Sequence, residues 1–171
     1  MNQTSMRSKG LSRVPLASNA YRQSEEHRRI LLAEDDVDLR ELFERALEEE
    51  GYSVLCAANG REALAAFSSS SIGALPPPSC IVLDIRMPEY SGLELLLALQ
   101  LAEWKIPVIL VTGFGNRETH ERALHYGCFA ILDKPLHPDL LVSKVKEAIE
   151  AYRSSPESEP KRPLPMSFFG T

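Results

Sequence analysis

An α/β fold built on a mostly parallel sheet is what this sequence predicts, from three observations. Short apolar runs alternate with longer amphipathic stretches through five cycles, the pattern of strands layered between helices. Several of the short runs are apolar throughout, as strands covered on both faces should be. The connections are short, with one exception.

The first strand is expected at Ile30–Ala33. A helix from about Val37 to Glu50 follows, gathering Val37, Leu39, Leu42, Phe43, Ala46 and Leu47 largely on one side and stopping at Gly51. The second cycle pairs Ser53–Ala57 with a helix from about Gly60 to Phe67. The third pairs Cys80–Leu83 with Leu93–Glu103, the fourth Val108–Val111 with Arg117–Tyr126, and the fifth Phe129–Leu132 with Pro138–Tyr152. The exceptional connection is Ser68–Ser79, which carries Pro76, Pro77 and Pro78 and reads as a surface excursion.

Of 171 residues, 44% are hydrophobic and 25% charged, an ordinary globular balance. At roughly 150 residues per domain, the length fits one domain with tails. Residues 1–28 form a basic arm expected to be disordered, residues 29–153 the domain, and residues 154–171 a second disordered, Pro-containing tail. Residues 1–29 carry +4 and residues 154–171 balance, so the net −5 of the chain leaves −9 on the body. An acidic body argues against direct nucleic-acid binding. No apolar run approaches the roughly 20 residues that cross a bilayer, and the start is polar and basic rather than a secretory signal. The expectation is a cytoplasmic protein without membrane attachment. Cys56, Cys80 and Cys128 lack metal-site spacing and read as small buried apolar residues.

Ligands of open parallel sheets bind beyond the carboxyl ends of the strands, so the residues there matter most. Glu34-Asp35-Asp36 follow the first strand, Asp84 the third, Thr112-Gly113 the fourth and Lys134-Pro135 the fifth. Gathered carboxylates repel unless protonated or bridged by a cation, and hard oxygen donors favour magnesium. A carboxylate beside such an ion can attack phosphorus, with a lysine neutralising the developing charge. Taken singly, each residue has a plainer reading. The acids can cap a helix, Thr112 can satisfy a turn and Lys134 can reach solvent. Asp84 can be an ordinary turn residue before Met87-Pro88, but a charge ending a fully apolar strand is costly without a purpose, so function is the better reading there. Asp36 and Asp38 are assigned to capping and the first helical turn. His27, His120, His125 and His137 have no ligand spacing and are expected to be solvated.

Four motifs in this order, Ile30-Leu-Leu-Ala-Glu-Asp-Asp, Ile81-Val-Leu-Asp-Ile-Arg-Met-Pro with Ser91-Gly92, Val108-Ile-Leu-Val-Thr-Gly and Leu132-Asp-Lys-Pro, resemble the response-regulator receiver family. The resemblance covers about residues 29–152. It implies a flavodoxin-like, doubly wound five-stranded parallel sheet of order 2-1-3-4-5 with five helices. It also implies that Asp84 is the phosphoacceptor and that Mg2+ is held by Glu34, Asp35, Asp84 and the backbone carbonyl of Arg86. Glu34 would act through metal-bound water. Thr112 would bond a phosphoryl oxygen, Lys134 would pair with the phosphoryl group, and a cis Lys134–Pro135 bond would aim the lysine.

The resemblance further implies a histidine kinase or histidine phosphotransfer protein as donor and a downstream protein as target. A phosphorylation-linked dimer is among the assemblies it allows. The chain departs from the family at the switch position three before the lysine, where Ile131 stands for an aromatic. Phe129, two residues earlier, would point to the same side of the strand. Bulky Arg86 and Phe114 flank the site and imply slow self-dephosphorylation. A haloacid-dehalogenase-type phosphatase needs a second acid where Arg86 stands, so a phosphoacceptor, not a turnover enzyme, is expected. A phosphorylation-independent, receiver-like adaptor is the other alternative. With no DNA-binding segment after Arg153, the expectation is a stand-alone receiver signalling through protein contacts, with Met166–Phe169 either a docking motif or an unstructured end.

Overall fold

The computed structural model describes residues 28–71, 77–113 and 115–155. Residues 1–27 of the arm with His27, residues 156–171 of the tail with Met166–Phe169, and Phe114 lie outside the described residues. Strand β1 (Arg29–Ala33) leads to helix α1 (Val37–Glu49), and β2 (Ser53–Ala57) to α2 (Gly60–Ser71). Next come β3 (Cys80–Asp84) and α3 (Gly92–Leu101), β4 (Val108–Thr112) and α4 (Arg117–His125), and finally β5 (Ala130–Asp133) and α5 (Pro138–Arg153). All strand pairs are parallel and the order is β2-β1-β3-β4-β5, the flavodoxin-like arrangement.

The alternation of side chains along each strand divides the core in two. Leu31, Ala33, Ile81, Leu83 and Leu110 pack with Phe67 of α2, Leu95 and Leu99 of α3 and Ala123 of α4. Ile30, Leu32, Val82, Ile109 and Val111 pack on the opposite face with Phe43 and Leu47 of α1 and Leu141 and Val145 of α5. Fully burying such a side chain contributes about 1.5–3 kcal/mol. Strands β3 and β4 are buried along their whole length, as their unbroken apolar runs require.

Local signals set the helix ends. Asp36 caps α1 by accepting the Leu39 N–H at 3.0 Å, and Asp38 lies in the first turn. Gly51 takes φ +80° just after α1, a conformation costly for any residue with a Cβ. Ser91 and Glu94 form a reciprocal capping box at α3.

Three sequence expectations need correction. Helix α2 runs on to Ser71, because the hydroxyls of Ser68, Ser69 and Ser70 bond carbonyls one turn back instead of breaking the helix. The excursion is thus shorter than Ser68–Ser79, and residues 72–76 are not described. Strand β5 starts at Ala130, one residue late, since Ile109 pairs with Ala130. Of the cysteines, only Cys80 is fully buried. Cys56 and Cys128 are half-buried, and burial pushes the Cys56 and Cys80 thiols up to about 12.

Close backbone approach fixes Gly92. A Cβ there would collide with the Asp84 carbonyl oxygen. Gly92→Ala should therefore push α3 away from the end of β3 and cost about 1–3 kcal/mol, read as a lower midpoint in urea denaturation.

Candidate functional site

Four strand ends converge at the carboxyl edge of the sheet. β3 is central, with β1 on one side and β4 on the other, so the residues after β1 and β4 flank Asp84, and β5 follows beyond β4. Asp84 is the last residue of its strand and pairs in register with Val111. Thr112 is the next residue of β4, buried, and pairs with Asp133, which immediately precedes Lys134.

Lys134 Nζ lies 2.7 Å from Asp84 Oδ2 and 2.8 Å from Glu34 Oε1. The side chains of Glu34 and Asp84 are only 2% and 6% exposed, so this is a shielded bridge rather than a surface ion pair. The other Asp84 oxygen, Oδ1, accepts the Arg86 backbone N–H at 3.0 Å. Asp35 is exposed, yet carboxylate oxygens of Glu34, Asp35 and Asp84 all lie within 4.8 Å of one another.

The electrostatics follow from two buried acids sharing one ammonium. Burial pushes Glu34 from its ordinary 4.5 to about 7; the Lys134 hydrogen bond opposes this and the Asp84 charge adds to it. Burial would lower the Lys134 ammonium, but its bonds to Asp84 and Glu34 outweigh that and hold it above the usual lysine value. The acids outnumber the cation, and every carboxylate donor is hard oxygen. That donor set fits a divalent cation such as Mg2+, which Glu34, Asp35 and Asp84 would hold.

The structure thus gathers Glu34, Asp35, Asp84 and Lys134 and sets Thr112 and Arg86 on adjoining backbone. The Lys134–Pro135 peptide is cis. The loop after β3 is tied to α2 by an Arg61–Glu89 ion pair and by the Gly60 N–H, which donates to the Pro88 carbonyl at 3.2 Å.

Ile131 is half-buried and packs on the core face shared with α3 and α4, whereas Phe129 packs on the opposite face, against the expectation that the two share a side. Alternation holds within a ladder, and Phe129 precedes the first paired residue of β5. Nor is His120 simply solvated. Its Nδ1 is 3.0 Å from the Asn116 carbonyl and its Nε2 3.5 Å from Asp133 Oδ1.

Sequence reasoning passed over Arg40, whose guanidinium donates to the Glu34 carbonyl at 2.7 Å. Its partners are backbone atoms, which leave no mark in a residue pattern. The available signal was a cation less than two turns into the helix that follows the acids.

Comparison with known proteins agrees with this geometry. The family model described as "Response regulator receiver domain" matches residues 30–146, more than half of the chain. Among curated proteins, the transcriptional regulatory protein AruR of Pseudomonas aeruginosa is 36% identical over 131 residues, which cover 76% of this chain and 52% of AruR. The regulatory protein AtoC of Escherichia coli is 34% identical over 71% of this chain and 25% of AtoC. The chain therefore spans about half of one relative and a quarter of the other.

Among solved structures, a CheY-like response regulator receiver domain protein from Methanospirillum hungatei superposes with a TM-score of 0.65 at 32% identity, covering 72% of this chain and 94% of that one. The receiver domain of a signal transduction histidine kinase from Syntrophus aciditrophicus gives 0.63 at 30% identity, covering 75% and 95%. Motif order, sheet topology and the acid–lysine edge all lead to one conclusion: the chain belongs to the response regulator receiver domain family.

Proposed function

We propose that this receiver accepts a phosphoryl group on Asp84 in a Mg2+-dependent transfer from the phosphohistidine of a kinase or phosphotransfer protein. The observation that carries this reading is the Asp84 carboxylate, which ends a buried strand bonded to Lys134 beside two further acids. When bound, Mg2+ supplies charge neutralisation for the transferring phosphoryl oxygens. The protein side of the step is geometric. An Asp84 oxygen forms the new O–P bond as the N–P bond of the donor breaks, and its imidazole leaves. Lys134 stays beside Asp84 and offsets the charge on the phosphoryl oxygens. Thr112, at the end of the neighbouring strand, donates its hydroxyl to one of them.

Glu34, Asp35 and Asp84, with the Arg86 carbonyl, are the metal ligands in this reading, Glu34 acting through water. The domain promotes its own phosphorylation and dephosphorylation rather than turning over a substrate, and its output goes to a downstream protein target.

Intact-mass measurement tests the proposal. After incubation with MgCl2 and acetyl phosphate, the chain should gain the mass of one phosphoryl group, and chelation with EDTA should prevent the gain. No gain in the presence of Mg2+ would overturn the reading in favour of an adaptor that signals without phosphorylation.

A further inference from the structure

Glu34 and Asp35 are consecutive, and an uninterrupted strand would send their side chains to opposite faces of the sheet. Instead both carboxylates meet Asp84 within one small site. The backbone accomplishes this where β1 gives way to α1. The Glu34 N–H is still tied to the Ala57 carbonyl at 3.1 Å, whereas the Asp36 side chain already caps the helix. Between these anchors the carbonyls of Glu34 and Asp35 need donors. Arg40 supplies them: its Nη1 lies 2.7 Å from the Glu34 oxygen and 3.4 Å from that of Asp35. Arg40 is itself fixed in α1, where its N–H donates to the Asp36 carbonyl at 2.9 Å.

We propose that Arg40 is a positioning residue for the acidic pair, its guanidinium holding the Glu34–Asp35 backbone so that both carboxylates face the cation the site would take. This rests on the Mg2+-dependent reading above.

A purely electrostatic role has the opposite sign. A fixed positive charge near the acids repels a divalent ion, so if charge were all that Arg40 contributed, removing it would tighten Mg2+ binding. If it holds the backbone, removal loosens the ligand pair and weakens binding, as losing an outer support of a metal ligand does.

Calorimetric titration of the full chain with MgCl2, alongside the metal-free melting temperature, separates the two. Arg40→Met should raise the Mg2+ Kd about 10-fold or more. Arg40→Lys, which keeps the charge but loses the planar fork, should fall between it and wild type. In acetyl phosphate assays, Arg40→Met should be slow at low Mg2+ and recover the wild-type rate at saturating Mg2+. A Kd equal to or below that of wild type, or a rate deficit that persists at saturating Mg2+, overturns the proposal. If Arg40→Met does not fold, Arg40→Lys decides by the same criteria. Wild-type protein that binds no Mg2+ would remove the functional reading itself, which is a different failure from Mg2+ binding that ignores Arg40.

Discussion

Asp84→Asn should abolish Mg2+-dependent uptake of a phosphoryl group from acetyl phosphate while leaving the fold intact. The substitution keeps the size of the side chain and an oxygen that can accept the Arg86 N–H or the Lys134 ammonium. What it removes is the nucleophilic carboxylate. It also removes one negative charge beside Glu34, whose pKa is raised first by burial and further by the Asp84 charge, so the metal-free variant should melt no lower than wild type. Intact mass and circular dichroism check both halves. A variant that still gains a phosphoryl group would place the acceptor elsewhere in the chain.

Lys134→Met should have the largest effect on stability. In metal-free buffer it leaves Glu34 and Asp84 facing each other, both almost fully buried, without the ammonium that bridges them. Breaking such a pair from one side costs about 3 kcal/mol or more, which for a domain of this size lowers Tm by about 10 °C.

Two further measurements identify the cause. Added Mg2+ should restore stability to the variant more than to wild type, since a cation then replaces the missing one. With EDTA present, the deficit should shrink at lower pH. The folded Glu34 carboxyl, at about 7 against an ordinary 4.5, holds its proton more firmly than the unfolded chain does. Protonating Glu34 therefore stabilises the fold as pH falls through 7 toward 4.5, and that gain is lost as pH rises. Because Lys134 itself lowers the Glu34 pKa, the variant holds this proton more firmly still and gains more than wild type. A thermal deficit indifferent to both Mg2+ and pH would mean that Lys134 matters for packing alone.

Asp84 was legible in the sequence because it ends an apolar strand, where a charge has no packing role. Lys134, which alone could reach solvent, was legible because the parallel sheet brings the end of its strand to the same edge. Glu34 and Asp35 were legible only in company, since acids before a helix are ordinary caps, as Asp36 proved to be. What stayed hidden depends on backbone detail. The facing of Phe129 turned on where the β5 ladder begins, a shift of one residue. Arg40 bonds carbonyl oxygens that every residue possesses. The length of α2 turned on serine hydroxyls satisfying the helix from within, where composition suggested a break.

The ammonium of Lys134 reaches a carboxylate 100 residues earlier in the chain. The bridge therefore closes only when the first and last strands have both joined the central ones, after nearly every long-range pairing of the sheet is in place. Folding and competence for chemistry become one event. A chain stalled before β5 docks would carry the acids without their counter-charge, so on the proposed reading acquisition of a phosphoryl group would report that β5 has joined the sheet.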